Sequence, residues 1–250
     1  MSCDVALIPC DDYASVEPAL RQALEAVDGL DFVRPGMRIV IKVNLVSAMA
    51  PDAAATVHPA LVCALVRMLR ERQAEVVIGD SPGGLYTAAY VRHVYEVSVM
   101  TQAQAFGASL NEDFSIREAD NPDALQLRHF PYTGYLDGAD AIIDLCKLKT
   151  HGMIGLSCGV KNLFGTIPGT MKPEMHYKYP DINTFANMLV DLYEYFRPSL
   201  VICDSVIGME GNGPTQGSPR QIGCLLAAKN GHMLDMVAAN LIDMDPKTVP

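Results

Sequence analysis

The seven cysteines of this 250-residue chain include no Cys-x-x-Cys pair and no short group with the spacing of metal ligands. This absence excludes a ferredoxin-type iron-sulfur motif or a zinc ribbon built from local sequence. Most of the cysteines lie in apolar runs, where a thiol is usually a reduced core residue, whereas Cys158 has basic and glycine-rich neighbours. We expect structural roles for Cys158 and for the cysteines of the apolar runs, namely Cys63, Cys146, Cys203 and Cys224.

The chain also lacks an apolar run long enough to cross a bilayer, and its first residues, MSCDVALIPCDDYAS, do not have the pattern of a signal peptide. We therefore predict a cytoplasmic protein without a membrane partner. Positive charge is scarce, because 19 Lys and Arg stand against 29 Asp and Glu, giving a formal net charge of -10. Since nucleic-acid surfaces need clustered Lys and Arg over a whole face, a nucleic-acid partner is not expected.

Two nucleotide-binding signatures are missing as well. The Gly-Lys-Ser/Thr order of a P-loop is absent, since Lys161 is followed by Asn162, and no Gly-x-Gly-x-x-Gly run follows the first buried strand. The sequence therefore supports neither ATP nor NAD as a cofactor.

What is present is an alternation of buried strands and amphipathic helices. Half of the residues are hydrophobic, enough for one sizeable core, and no repeat or linker divides residues 1–250. This order predicts a single α/β domain, with a mostly parallel sheet and helices on both faces. The irregular span 101–138 is expected to add a small inserted hairpin or lid. The predicted strands are 37–43, 74–80, 139–148 and 199–208, and the predicted helices are 16–27, 58–72 and 183–196.

Polar residues follow several of these strands and are expected to meet at one rim, because ligands of such sheets bind beyond the carboxyl ends of the strands. Lys42 and Asn44 lie at the end of the first predicted strand, and the segment 80–84, beginning with Asp80, follows the second. The segments 147–151 and 204–217 follow the two later strands. In the last one, the run 209–220 is rich in turn residues. Its amides at Gly211 and Gly213 would cradle an anion while Glu210 binds a metal or a cationic group, unless the run is an ordinary surface loop.

The most informative stretch is 147–178, which has five Lys and two His against the single acid Glu174. This local excess of positive charge runs against the negative charge of the whole chain and should attract anions. Gly155 and Gly159 allow close backbone approach, and a helix beginning near Ser157 would offer free N-H donors. The stretch therefore predicts an anion cradle with Lys161 at its wall.

The same stretch has side chains suited to proton transfer: Lys149, His151, Lys161, Lys172 and His176. Histidine changes charge near neutral pH, and a lysine in a desolvated, cationic pocket becomes nucleophilic when it loses its proton. The alternative is that these lysines are solvated and the histidines structural.

Several segments of the chain resemble a known family. The segment KLKTHGMIGLSCGVKNLFGTIPGTMK with the following His176, together with IKVNL, VHPAL, GDSPGG and MEGNGPTQGSPR, looks like domain-of-unknown-function family 362. The match covers nearly the whole chain. Many members carry separate iron-sulfur ferredoxin modules, for which this chain has no motif, and members usually continue past LIDMDPKTVP. The resemblance therefore implies a chain that is truncated or a short variant.

A more distant resemblance concerns mechanism. His151, Gly155, Ser157, Gly159, Lys161, Pro168-Gly169 and His176 are similar in order to a segment of the nickel-pincer lactate racemase family. That resemblance implies Lys161 as covalent anchor of a pyridinium-derived cofactor, His176 as nickel ligand and His151 as general acid or base. The chain also departs from that family. The spacing between Lys161 and Pro168 is two residues longer than in the family, and IKVNL and GDSPGG replace the Arg motif and the second His expected near the first two strands.

Two functions of different classes follow. The first is an enzyme or cofactor-binding protein acting on a small anionic metabolite. The second is a non-catalytic accessory or electron-transfer module that docks an iron-sulfur or flavin partner. Phosphate-ester binding ranks third. For the first, we expect His151, Lys161 and Lys149 to be catalytic, His176 to bind a metal, and the cofactor to contact Lys161, Gly155, Ser157, Gly159, Asn162, Lys42, Asn44, Asp80, Glu210, Gly211 and Gly213.

Overall fold

The computed structural model describes residues 3–250, and within them the chain forms an eight-stranded sheet, a separate two-stranded hairpin and seven α-helices. The strands are β1 Val5–Pro9, β2 Arg38–Lys42, β3 Glu75–Gly79, β4 Ala108–Leu110, β5 Ile116–Asp120, β6 His129–Thr133, β7 Ala141–His151, β8 Gly155–Ser157, β9 Leu200–Glu210 and β10 Ser218–Ala228. The helices are α1 Val16–Ala26, α2 Pro59–Glu71, α3 Ala88–Val97, α4 Gly159–Asn162, α5 Lys172–Lys178, α6 Ile182–Phe196 and α7 Gly231–Leu241.

The main sheet has the order β1-β10-β9-β7-β2-β3-β4, with β8 paired to β7. The neighbours from β9 to β4 run parallel, whereas β10 and β1 add antiparallel strands at one edge. The predicted α/β class with a mostly parallel sheet is confirmed, and the four predicted strands correspond to β2, β3, β7 and β9. Because the carboxyl ends of β2, β3 and β7 lie side by side, the residues that follow them are brought together.

Helices cover both faces of this sheet. In β2, Ile39 and Ile41 pack into the core formed with α1, α2 and α3, whereas Val40 points to the opposite face. On that opposite face, Leu148 of β7 packs with residues of α6 and α7. Burial on both faces explains why these strands are continuous apolar runs rather than alternating ones. None of the helices in residues 3–250 is both long and apolar enough to cross a membrane.

The predicted inserted hairpin is present as β5 and β6, which pair antiparallel from Ile116↔Thr133 to Asp120↔His129. It packs against α6, with the ring centroid of Phe130 5.1 Å from that of Tyr195. No residue of the hairpin lines the cavity described below. The hairpin therefore covers one side of α6 and does not lie over that cavity as a lid.

The predicted loop after β9 is largely a long hairpin instead. Strand β9 continues to Glu210 and β10 begins at Ser218, which pairs with Glu210 itself. Asp204 therefore lies inside a buried strand, where it forms an ion pair with Lys147 (2.9 Å), and is not part of a strand-end loop. Only 211–217 form the turn, because cross-strand pairing takes up the residues on either side.

Candidate functional site

A cavity of about 280 Å³ lies beyond the carboxyl ends of β2, β3 and β7. Its wall is formed by the segments that follow β2 and β3, by the end of β7, and by the chain from Ser157 to His176. The structure thus brings together most, but not all, of the predicted site residues. Those that line the cavity are Lys42, Asn44, Asp80, His151, Ser157, Lys161, Asn162 and His176.

Lys42 holds the wall together rather than offering a free charge. Its Nζ forms a buried ion pair with Asp80 Oδ1 (2.8 Å) and donates to the carbonyl oxygen of Val43 (2.7 Å) and to Asn162 Oδ1 (3.0 Å). These three acceptors use all three ammonium protons. Gly165 packs directly against this pair, where the space is too small for a Cβ atom. The two charged groups therefore neutralise each other, and although both residues line the cavity, their contact with a cofactor remains a prediction.

Asn44 and Asn162 connect this pair to a second lysine. Asn44 Nδ2 donates to Asn162 Oδ1 (3.1 Å), and Asn44 Oδ1 accepts from Lys149 Nζ (2.8 Å). Lys149 also donates to the carbonyl oxygen of Ala55, and burial together with the charge of Lys161 lowers its pKa well below the usual value. Lys149 does not line the cavity. It supports the cavity wall from behind, so the structure does not place it in the predicted catalytic position.

Lys161 is different, because its ammonium group has no hydrogen-bond or ion-pair partner among residues 3–250. It faces the cavity from α4, with Nζ 5.7 Å from the ring centroid of Phe164. Desolvation and the neighbouring charge of Lys42 lower its pKa to about 8. A substantial fraction of this amine is therefore neutral, and nucleophilic, near physiological pH.

Lys172 is a second cation of the cavity, and the sequence analysis gave it no separate binding role. It begins α5 and donates through Nζ to the carbonyl oxygen of Ser81, while the hydroxyl of Ser81 accepts from the N-H of Gly169 (2.8 Å). Desolvation lowers the pKa of Lys172 to about 7, against the opposing attraction of Asp80. The GDSPGG loop therefore positions Lys172 through its backbone.

His151 has a defined tautomer. Its Nδ1 accepts the backbone N-H groups of Met153 (3.1 Å) and Ile154 (3.3 Å), so the neutral ring carries its proton on Nε2. Burial, and then the charge of Lys161, lowers its pKa to about 3. At neutral pH, His151 is therefore an uncharged hydrogen-bond donor on the cavity wall. It is suited to polarise a ligand oxygen rather than to accept a proton.

His176 lies on α5 at the mouth of the cavity, where its ring stacks on Phe185 at a centroid distance of 4.6 Å and meets Phe164 edge-on. Desolvation and the charge of Lys161 lower its pKa. Its ring nitrogens have no hydrogen-bond partner among the residues described. The ring is therefore fixed in place while its nitrogen atoms remain available to a ligand or a metal.

The predicted glycine cradle is wrong in one respect. The N-H groups of Gly159 and Val160 at the start of α4 donate to the two carboxylate oxygens of Asp235, at 2.7 and 3.0 Å. An internal carboxylate thus occupies the donors that were expected to be free. By contrast, the hydroxyl of Ser157 is buried on the cavity wall and has no hydrogen-bond partner within residues 3–250. Gly155 is the exposed first residue of β8, has φ +73° and does not line the cavity.

The β9–β10 turn contributes little to the cavity. Glu210 is exposed, pairs with Arg220 at 3.7 Å and lines a separate groove. Gly211 and Gly213 bond to each other through backbone atoms (2.9 Å), and only Pro214 of this turn reaches the cavity. The predicted roles of Glu210, Gly211 and Gly213 in cofactor binding are therefore not supported by their positions, because none of the three lines the cavity.

One cluster was missed by the sequence analysis: the buried cysteine trio of Cys146, Cys158 and Cys203. The Cys158 sulfur lies 3.8 Å from that of Cys146 and 3.5 Å from that of Cys203. Cys146 and Cys203 are direct neighbours on β7 and β9, and Cys158 immediately precedes α4. Their spacing in sequence does not indicate a cluster, because only the register of β7 against β9 brings them together.

Comparisons with known proteins agree with this architecture. The family model described as "Domain of unknown function (DUF362)" matches residues 39–240. The chain is 34% identical over 251 residues to a thylakoid-associated protein of Synechocystis sp., an alignment covering 98% of this chain and 76% of that protein. The lactate racemase apoprotein of Thermoanaerobacterium thermosaccharolyticum has a similar fold, with a TM-score of 0.55 and 9% identity. That similarity covers 94% of this chain and 56% of the racemase chain.

Proposed function

The chain belongs to the DUF362 family, and from the chemistry of its cavity we propose that it binds a small anionic metabolite or cofactor and transfers protons to or from it. The observation that carries this proposal is the unpaired ammonium group of Lys161, in the same cavity as Lys172 and the unpartnered hydroxyl of Ser157. Buried polar groups without protein partners are rare in folded proteins, and the Ser157 hydroxyl is one of them. Lys161 is only partly buried, and a ligand oxygen would contact both its ammonium group and this hydroxyl.

Anion binding and proton transfer are coupled at this site. Without a ligand, Lys172 and Lys161 have pKa values of about 7 and about 8, so each is partly neutral in the neutral range. An anion between them favours the charged form of each lysine and raises both pKa values. Ligand binding would therefore take up protons. In this proposal a neutral lysine accepts a proton from the ligand, and neutral His151 donates a hydrogen bond from Nε2 to a ligand oxygen.

A pyridinium-derived, nickel-containing cofactor, of the kind implied by the resemblance, is compatible with several of these residues. The amine of Lys161 and the free imidazole of His176 line one cavity, and each has a lowered pKa. Lys161 would hold such a group covalently and His176 would ligate the metal. When bound, the group would supply an electrophilic ring and a nickel ion. The function of His151 would remain that of a donor to a substrate oxygen.

The alternative is a module that docks an acidic redox partner. Docking surfaces are usually open, whereas small-molecule sites are concave and largely pre-formed. The position of Lys161 and Lys172 on the wall of a cavity favours a small ligand. The cytoplasmic location stays part of the proposal, as does the absence of nucleic-acid and membrane partners.

The test is calorimetric binding of lactate, pyruvate and inorganic phosphate to the full chain and to two variants. Lys161→Gln should lose anion binding while remaining folded. Lys178→Gln should bind like the parent protein, because Lys178 is an exposed lysine of α5 that does not line the cavity. Binding of these anions with equal affinity to the parent protein and the Lys161→Gln variant would contradict the proposal.

Intact-mass analysis of protein from its own host tests the cofactor separately. A mass increase located on Lys161 is expected if the lysine is a covalent anchor. An unmodified Lys161 in protein that still binds anions would remove the covalent cofactor but leave the anion site.

A further inference from the structure

The cysteine trio has a geometry that its role as core packing does not require. All three sulfur atoms lie within 4.8 Å of one another, and two of the three separations are 3.8 and 3.5 Å. Thiolates that bind a tetrahedral metal ion at about 2.3 Å lie about 3.8 Å apart. Two of the three sulfur separations therefore lie close to the edge length of such a tetrahedron, and the third is at most 4.8 Å.

Rigid elements hold these sulfur atoms in place. Cys146 and Cys203 face each other from adjacent parallel strands in the centre of the sheet. Cys158 is fixed from the other side, because the next two backbone N-H groups are bound by the carboxylate of Asp235. Pre-positioned ligands on strands lower the ordering cost of metal binding.

Acidic side chains lie near the trio. Burial raises the pKa of all three thiols, and the carboxyl groups of Asp144, Asp204 and Asp235 add to this effect, although Asp204 is itself paired with Lys147 at 2.9 Å. Without a metal, the three groups therefore stay neutral thiols, because both burial and these carboxyl groups disfavour a thiolate. When one divalent ion replaces the three thiol protons, the three thiolates and the ion together carry a net charge of -1. Most of the repulsion between three bare thiolates and the nearby carboxylates is thereby removed.

The trio also has access to the cavity. Cys146 and Cys158 both line it, whereas Cys203 lies behind them in the sheet. A metal ion held by three sulfur atoms would therefore have its remaining position on the side of the cavity, which the unpartnered hydroxyl of Ser157 also lines. Three protein ligands with a fourth position for water or substrate is the arrangement of catalytic zinc sites.

We propose that Cys146, Cys158 and Cys203 form a binding site for one thiophilic divalent metal ion, with Zn²⁺ as the best-fitting ion and its fourth position open to the cavity. Thiolate ligands select soft or borderline metals over Mg²⁺ and Ca²⁺. This site uses none of the lysines or histidines of the anion proposal. The two sites share the cavity but not their ligating residues, so either proposal can fail without the other.

The experiment uses the full chain, reduced and treated with a chelator, and titrated with Co²⁺ and then with Zn²⁺. One equivalent of Co²⁺ should produce sulfur-to-metal charge-transfer absorption together with tetrahedral d-d bands, and Zn²⁺ should abolish both. Cys203→Ser should weaken binding by more than about 100-fold, since loss of even an outer-shell partner of a metal site costs 10- to 100-fold. Cys63→Ser, at a buried cysteine of α2 outside the trio, should bind like the parent.

X-ray absorption of the Co²⁺-loaded parent protein provides a second readout that does not depend on the folding of a variant. Three sulfur ligands at about 2.3 Å are expected. A shell with only nitrogen and oxygen would place the metal elsewhere, such as at His176, and would refute the proposal. Absence of charge-transfer absorption in the parent, or its persistence in folded Cys203→Ser, would refute it as well.

Discussion

The lowered pKa values of the cavity lysines predict that anion binding takes up protons in a narrow pH range. Lys172 has a pKa of about 7 and Lys161 of about 8 in the ligand-free cavity. From these values, about three quarters of Lys172 and about one quarter of Lys161 are neutral at about pH 7.5. An anion that contacts both ammonium groups should therefore take up about one proton there, but only about a tenth of a proton at about pH 6.

The same pKa values set the pH dependence of affinity. Because the anion requires the charged lysines, affinity is greatest below about pH 7 and falls as each lysine loses its proton. If binding fully restores both charges, the affinity at about pH 9 is lower than at about pH 6 by up to about 1,000-fold. Lactate or pyruvate is the suitable probe, since neither carboxyl group titrates in this range.

The assay is isothermal titration calorimetry in buffers of equal pH and different ionisation enthalpy. The slope of the observed enthalpy against the buffer enthalpy gives the number of protons taken up. The Lys172→Gln variant should lower this number at about pH 7.5 from about one to about one quarter, which is the share of Lys161. An affinity that stays constant from about pH 6 to 9, or a buffer-independent enthalpy, would refute the reasoning.

Three further results are expected. Lys161→Met should raise the melting temperature below about pH 8, because the desolvated charge of Lys161 destabilises the folded protein there. This gain should disappear as the pH rises to 10.5, where the amine is neutral in both the folded and the unfolded protein. Proton-nitrogen NMR should show His151 with its proton on Nε2 and no titration between about pH 5 and 9, and a titration near pH 6.5 would contradict the assigned hydrogen bonds. Asp235→Ala should lower the free energy of unfolding by about 1–3 kcal/mol in urea titrations, since it leaves two N-H groups of α4 without an acceptor, and an unchanged midpoint would contradict that role.

Much of the fold and part of the site could be predicted from local sequence. Buried β-branched runs identify β2 and β3, and the topology of parallel sheets then places Lys42 and Asp80 at one edge. The charge pattern of 147–178 also identifies Lys161 and His176 as cavity residues. These predictions succeeded because they depend on strand ends, which apolar patterning marks clearly.

The predictions that failed depended on partners distant in sequence. The start of α4 was expected to offer free N-H donors, but Asp235, 76 residues after Gly159, occupies them. Glu210 was expected at the rim, but pairing with Ser218 extends its strand beyond it. Neither partner follows from local periodicity, since both depend on how distant segments pack.

Occupation of the α4 amides by Asp235 limits how this site can be transferred between proteins. The stretch 147–178 carries most of the cavity lysines and histidines, which suggests that this segment alone could transfer the site to another protein. Grafted alone onto another scaffold, it would lose the carboxylate that α7 supplies, and the polypeptide around Lys161 would no longer hold its shape. The smallest portable unit therefore extends through α7.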